Sequence, residues 1–242
     1  MIGARFGVVL VAGAMMFGGG GVASAQTLQT LSVGVSPAKA GKAGKPAGVS
    51  FNVVGTTRNE DGSQPPTMAK LDLYFPKGFR FNTKAFPACT AKILNSVRGS
   101  AGCPAGSRVG AGGATAVAGE LTAAPAITAF NGGANRLNLF LKEDVPVAIS
   151  QAMEGALSRA SGGYASHLLF VVPNTFQQPA PGLYASVTRL QVKVGANLRK
   201  RGKTVHYIDA VSCPSTHVWK FMGKFTTRDG QVYTATATQK CR

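Results

Sequence analysis

Short runs in which apolar and polar residues alternate recur along most of this 242-residue chain. Residues 31–35 read Leu-Ser-Val-Gly-Val, and residues 49–53 read Val-Ser-Phe-Asn-Val. Side chains of a β-strand point alternately to its two faces, so this period of two predicts half-buried strands. Turn-rich segments separate the runs. The pattern therefore predicts a mainly β fold, an antiparallel β-sandwich.

The same pattern predicts further strands at 71–75, 79–81, 108–119, 137–141, 167–172, 184–194 and 205–211. The strand at 108–119 is rich in glycine and alanine, which lets a neighbouring backbone approach closely. Residues 38–46 are rich in Lys, Gly and Ala and indicate an exposed connection. No strong linker divides residues 26–242, which we expect to form a single domain with one weak boundary at 123–125.

The C-terminal region predicts a hairpin. The Asp-Gly pair at 229–230 favours a two-residue type I′ turn, which would place Phe225 opposite Thr234. Trp219 and Phe221 share one face of the preceding strand with Phe225.

One segment, residues 146–160, departs from the β pattern and predicts an inserted helix. Asp144 is a plausible N-cap, and the apolar residues recur at helical spacing. We expect this stripe to pack against the core; it comprises Ile149, Ala152, Met153, Ala156 and Leu157.

Residues 1–25 have the features of a secretory signal peptide. Arg5 gives a positive n-region, an apolar run covers 6–17, and Ala-Ser-Ala stands at 23–25. The apolar run is shorter than the roughly 20 residues that a spanning helix needs. We expect cleavage before Gln26, which leaves 217 residues; an uncleaved anchor is the alternative.

The chain has four cysteines, and an exported protein meets an oxidising environment. Four cysteines allow three pairings. Proximity in the sequence favours Cys89–Cys103 and Cys213–Cys241. A zinc site is the alternative, but the chain has no C-x-x-C motif and no His at ligand spacing beside either pair.

The chain is strongly basic, with a net charge of +17 that falls to +16 without the signal segment. Such a charge favours anionic cell-wall polymers or lipid headgroups as partners; the alternative is that it only maintains solubility. The candidate contact is the cluster Arg199, Lys200, Arg201 and Lys203, which resembles a β-turn between strands. A second cluster occupies 39–45. Neither interleaves aromatic residues, which argues against nucleic acid, and the oligomeric state stays open.

Catalytic signatures are weak. The chain contains neither G-x-S-x-G nor H-E-x-x-H, and His167, His206 and His217 lie in or beside predicted strands, where a structural role is usual. The glycines at 110–113 match no phosphate-binding motif. The loop 57–68 lacks carboxylates at the first and twelfth positions of a calcium loop. The sequence assigns no catalytic, cofactor or metal site, and indicates a non-enzymatic protein.

Through several motifs the chain resembles a group of secreted proteins from high-GC Gram-positive bacteria. No activity is assigned to that group. The resemblance extends over nearly all of residues 26–242. The motifs that carry it are LSVGVSP at 31–37, FPKGFRFN at 75–82, FPAC at 86–89, CPAGSRVG at 103–110, FNG at 130–132, PGLY at 181–184 and KCR at 240–242. The resemblance implies secretion and carries over no functional residue.

The sequence therefore predicts a secreted, non-enzymatic protein, extracellular or loosely associated with the cell wall, with a binding or structural role. The alternative is a carrier that holds an apolar or lipid ligand between a curved sheet and the helix. A secreted hydrolase is the third hypothesis. An internal cavity would distinguish the carrier, because ordinary sandwiches fill their interior with side chains.

Overall fold

The computed structural model describes residues 26–42, 44–145 and 147–242, so the signal segment lies outside the described residues. Within these residues, two four-residue α-helices, α1 (Ala91–Leu94) and α2 (Asn174–Gln177), accompany sixteen strands. No helix in these ranges is long and apolar enough to cross a bilayer. The strands are β1 (Thr27–Ser36), β2 (Ala47–Asn59), β3 (Met68–Pro76), β4 (Phe79–Phe81), β5 (Arg108–Ala118), β6 (Leu121–Ala123), β7 (Ala126–Gly133), β8 (Arg136–Glu143), β9 (Ile149–Arg159), β10 (Tyr164–Val171), β11 (Ser186–Val194), β12 (Asn197–Lys200), β13 (Lys203–His206), β14 (Ile208–Ala210), β15 (Val218–Thr227) and β16 (Val232–Lys240).

Fourteen of these strands form one antiparallel sheet. Its order is β16-β15-β3-β10-β9-β8-β7-β5-β11-β2-β14-β4; β1 pairs with β2 and β6 pairs with β5. The sheet curls until β1 packs beside β16, so opposite walls face each other across one apolar interior. The expectation of a mainly antiparallel, sandwich-like β fold is confirmed, although both layers belong to one continuous sheet.

The predicted helix at 146–160 is wrong. Residues 149–159 form β9, paired with β8 and β10, and Pro146 lies outside the described residues. The helical spacing arose because Ala152 and Met153 are both buried. Met153 faces the interior, whereas Ala152 belongs to a small second core on the outer face. A strand that is buried on both faces loses its simple alternation.

The terminal hairpin forms, but its turn differs from the prediction. Thr226 pairs with Val232, and Phe225 pairs with Tyr233 rather than with Thr234. Thr227 N–H donates to the carbonyl oxygen of Gln231 at 2.9 Å, which leaves a three-residue loop, 228–230, that ends with Gly230 at a φ of +87°. A one-residue shift turns the alternate side chains of a strand to the other face. Consequently Tyr233, rather than Thr234, packs against the core.

Both favoured disulfides are present, with Cα–Cα distances of 5.1 Å for Cys89–Cys103 and 5.8 Å for Cys213–Cys241. The first ties down the α1 region, which covers the outer face of the sheet around Phe130 and Phe140. The second fastens the chain just after β16, where Arg242 exchanges backbone hydrogen bonds with Ala38 and Ala40. Both bridges therefore hold segments that the main sheet does not secure by itself.

We expect Gly230→Val to destabilise the protein by about 1–3 kcal/mol, because a β-branched residue strongly resists a positive φ. The space around Gly230 is open, so the penalty would come from the backbone alone. Gly163→Val is the matched control, since Gly163 is equally open and its φ is not positive. Chemical denaturation measures both variants. Equal stability of the two would show that the turn is misassigned.

Candidate functional site

One half of the interior is filled by aromatic side chains. The ring of Phe51 lies 5.4 Å from that of Phe75, 4.9 Å from that of Phe79 and 5.8 Å from that of Phe221, measured between centroids. Trp219 is completely buried beside Phe79. Such ring pairs give dense packing across opposite walls of the sheet, so this half has the character of an ordinary protein core.

The other half of the interior contains a cavity of about 620 Å³. Large apolar residues such as Leu71, Leu141 and Phe225 line it, but several positions of its wall carry only small side chains. Because these side chains reach little beyond the backbone, the wall leaves space that the aromatic half fills. The glycine and alanine residues of the lining are Gly55, Ala114, Ala116, Ala118, Ala123, Ala148, Ala180 and Ala185.

The glycines of β5 allow this strand to lie very close to the backbone of β11. A Cβ atom at Gly112 would lie 1.9 Å from the carbonyl oxygen of Gln191, and one at Gly110 would lie 2.2 Å from that of Lys193. This confirms the expectation that the glycines admit a neighbouring backbone. Ala114 and Ala116 continue the same inward-facing row and line the cavity.

The segment 172–185 crosses the end of the sheet beside the cavity, from β10 to β11. Phe176 of α2 and Leu183 line the cavity from this side. Backbone hydrogen bonds from Val172 to Ala69 and from Ala185 to Gln177 hold the segment in place. Leu121 lines the cavity and is also 46% exposed, so the cavity reaches the surface there.

Four of the five polar side chains that line the cavity are hydrogen-bonded to one another in two pairs. Thr57 Oγ1 donates to Gln29 Oε1 at 2.6 Å, and Gln29 Nε2 donates to the carbonyl oxygen of Thr56 at 2.9 Å. Thr175 Oγ1 donates to Gln151 Oε1 at 2.8 Å. Apart from these two pairs and Ser150, the lining consists mainly of alkyl and aromatic groups. The cavity is therefore chemically suited to an apolar molecule.

Charge is unevenly distributed between the two ends of the sheet. The mouth end is the end that contains Thr27, Asn59 and Met68, next to the cavity; the basic end is the opposite one. Six of the nine acidic residues lie at the mouth end: Glu60, Asp61, Glu120, Glu143, Asp144 and Asp229. Five basic residues balance them there: Arg58, Lys70, Lys142, Arg189 and Arg228.

The basic end holds both lysine- and arginine-rich segments. Arg199, Lys200, Arg201 and Lys203 are exposed at the tip of the β12–β13 hairpin, which pairs as a separate two-stranded sheet. The prediction that this basic cluster forms a β-turn between two strands is thus confirmed. The loop 39–45 is anchored nearby, since Gly41 donates to the carbonyl oxygen of Ala210 at 2.9 Å. The acidic Asp209 at this end is buried and bound to Arg80.

A hydrogen-bonded trio lies on the outer face of three adjacent strands. His167 Nε2 is 2.6 Å from Ser158 Oγ, and His167 Nδ1 is 2.8 Å from Asp72 Oδ1. The imidazole also stacks on Tyr74, with 5.3 Å between ring centroids. Ser158 and His167 are cross-strand partners on β9 and β10. Once 149–159 is read as a strand, period-two alternation places both on the same face.

Comparisons of the chain with protein-family models, with curated proteins and with solved structures gave no significant match.

The sequence offered a carrier cavity only as an alternative and did not locate its lining, and it gave no indication of the trio. The cavity arises from residues far apart in the chain, such as Gly55, Ala116 and Ala185, which only the closed sheet brings together. The usable signal was the run of alanines and glycines in β5. The trio was hidden because the prediction placed Ser158 in a helix.

We expect Ala114→Leu to change the free energy of unfolding by less than about 1 kcal/mol, because the added groups extend into the cavity. Ala129→Leu is the matched comparison. Ala129 is fully buried in the packed core, where overpacking costs about 1–3 kcal/mol. Denaturation of both variants tests the space beside β5; equal destabilisation would contradict it.

Proposed function

We propose that this protein is a secreted carrier that holds an apolar ligand, such as a lipid or another hydrocarbon-rich molecule, inside its sheet. The observation that carries the proposal is the cavity of about 620 Å³ with its mutually bonded polar groups. Its volume falls in the range of about 300–1,000 Å³ typical of small-molecule sites. This is the carrier hypothesis of the sequence analysis, with the segment 172–185 in place of the predicted helix as cover.

The physical reason for binding is burial of apolar surface. An apolar molecule that leaves water for the cavity gains roughly 25 cal/mol for each Å² of surface buried. It also gains dispersion contacts with a lining that has few partners of its own. The preformed sheet wall limits the ordering cost of binding, which favours affinity.

We expect the neutral probe N-phenylnaphthylamine to bind with enhanced fluorescence, and Ala116→Phe to weaken this binding at least about tenfold by filling the cavity. Ala111→Phe is the control, because Ala111 is exposed on the outer side of the same strand. Binding should change little between about 0.05 and 1 M salt, since no charge pairing is involved.

Unfolding midpoints establish that both variants are folded. Probe binding that Ala116→Phe leaves unchanged, while the variant is folded, would exclude this cavity as the site.

We propose that the basic end attaches the carrier to an anionic component of the cell envelope. The supporting observation is the concentration of exposed cations on the β12–β13 hairpin and the loop 39–45. Cell-wall polymers and lipid headgroups both offer dense negative charge, and each exposed Lys or Arg near an anionic surface contributes about 1 kcal/mol.

Neutralising Arg199, Lys200, Arg201 and Lys203 together should weaken binding to anionic vesicles about a hundredfold or more at low salt. Neutralising Lys39, Lys42 and Lys45 should weaken it less, because fewer charges are removed. Cosedimentation with anionic vesicles and with an immobilised anionic wall polymer distinguishes the two partners. Steep loss of binding with rising salt is expected; absence of binding to both at low salt would refute the attachment.

The third hypothesis, a hydrolase, is favoured by one observation, the Ser158–His167–Asp72 trio. In this alternative His167 Nε2 accepts the proton as Ser158 Oγ attacks an ester carbonyl, and Asp72 orients the ring. The alcohol leaves with that proton, and water then hydrolyses the acyl-serine by the reverse transfers.

A fluorophosphonate probe and an activated acetate ester test this alternative. Hydrolase chemistry predicts labelling at Ser158 and ester hydrolysis that Ser158→Ala abolishes, whereas Ser161→Ala, at an exposed serine nearby, leaves both unchanged. Identical behaviour of Ser158→Ala and the unmodified protein would remove the hydrolase hypothesis.

A further inference from the structure

Exposed apolar side chains are concentrated at the mouth end. Among the described residues six large apolar side chains are exposed, and five of them lie at this end. We call these five the mouth rim: Leu121, Val145, Val171, Tyr184 and Val232. They come from the ends of different strands and the loops beside them. The sixth, Val97, lies on the outer wall of the sheet near α1.

The mouth rim is continuous with the cavity. Leu121 belongs to both, because it lines the cavity and is 46% exposed. Val145 is 79% exposed, and Val147 and Ile149 of the same segment line the cavity. Tyr184 is likewise preceded by Leu183, a lining residue. An apolar molecule could therefore move between the rim and the interior along an apolar path.

The charges beside the rim indicate which kind of surface it fits. Acidic and basic residues at the mouth end are nearly balanced, in contrast to the basic end. Arg228 stacks over the ring of Tyr184, with its guanidinium carbon 5.0 Å from the ring centroid. A balanced set of charges around apolar side chains suits the zwitterionic headgroups and hydrocarbon of a lipid bilayer, whereas a strongly anionic surface would favour the other end.

We propose that the mouth rim docks on the surface of a lipid bilayer and that the ligand enters and leaves the cavity during this contact. The inference rests on the proposed carrier function. Every methylene group that passes through water adds to the free-energy cost of release, so release of a long chain into solvent would be slow. Contact between the rim and the bilayer avoids that step. The ligand is then transferred while the protein and a vesicle are in contact, so its transfer rate depends on how often they collide.

The test compares Val145→Glu/Val232→Glu with Val97→Glu. Neither Val145 nor Val232 lines the cavity. Equilibrium binding of N-phenylnaphthylamine should therefore be unchanged in all variants. Protein loaded with a fluorescent fatty acyl probe is mixed with phosphatidylcholine vesicles that contain a quencher. The transfer rate of the unmodified protein should rise with vesicle concentration. The rim variant should be slower by about tenfold or more, because charges are costly in an apolar contact, and Val97→Glu should match the unmodified protein.

Each outcome has a distinct meaning. A transfer rate that is independent of vesicle concentration, or equally slowed by Val97→Glu, overturns rim docking while leaving the carrier intact. Failure of the unmodified protein to bind any apolar probe refutes the carrier itself. In that case flotation of the unloaded protein with phosphatidylcholine vesicles at high salt still measures whether the mouth rim binds a bilayer. Flotation that only the rim variant loses supports docking, and absence of flotation overturns it.

Discussion

Burial of one face of a single continuous antiparallel sheet is the constraint on which the rest of this structure depends. Every strand of the wall must turn alternate side chains toward the same interior, and the contact of β1 with β16 encloses that interior. The size of the inward-facing side chains then determines whether the interior is packed or contains a cavity. Phenylalanines such as Phe51 and Phe221 make a packed core in one half, and alanines on β5 leave a cavity in the other.

The sequence predicts the strands well because alternation is a local property. The correct disulfide pairs followed from proximity along the chain. The errors arose where a distant element changed the pattern: α1 buries Ala152 from outside, which made β9 resemble a helix. The terminal turn shifted by one residue because Asp229 does not adopt a positive φ. Its carboxylate accepts a hydrogen bond from Thr227, which also lowers the pKa of Asp229.

The candidate sites were harder to predict than the fold. The basic hairpin could be located because Arg199, Lys200, Arg201 and Lys203 are neighbours in the sequence. The cavity could not, because its volume depends on how far apart the walls stand and on which small residues face each other. The Ser158–His167–Asp72 trio likewise requires the register of three strands, which no local pattern specifies.

In the proposed carrier, the small residues of β5 would have a consequence for ligand selectivity. Ala114 and Ala116 contribute volume to the cavity through their side chains, while their backbone groups belong to the ladders that hold the sheet. Lengthening these side chains one methylene at a time would reduce the volume of the cavity without altering the strand register. If the proposed carrier function holds, single substitutions on β5 would change the size of ligand that fits while the rest of the sheet keeps its structure.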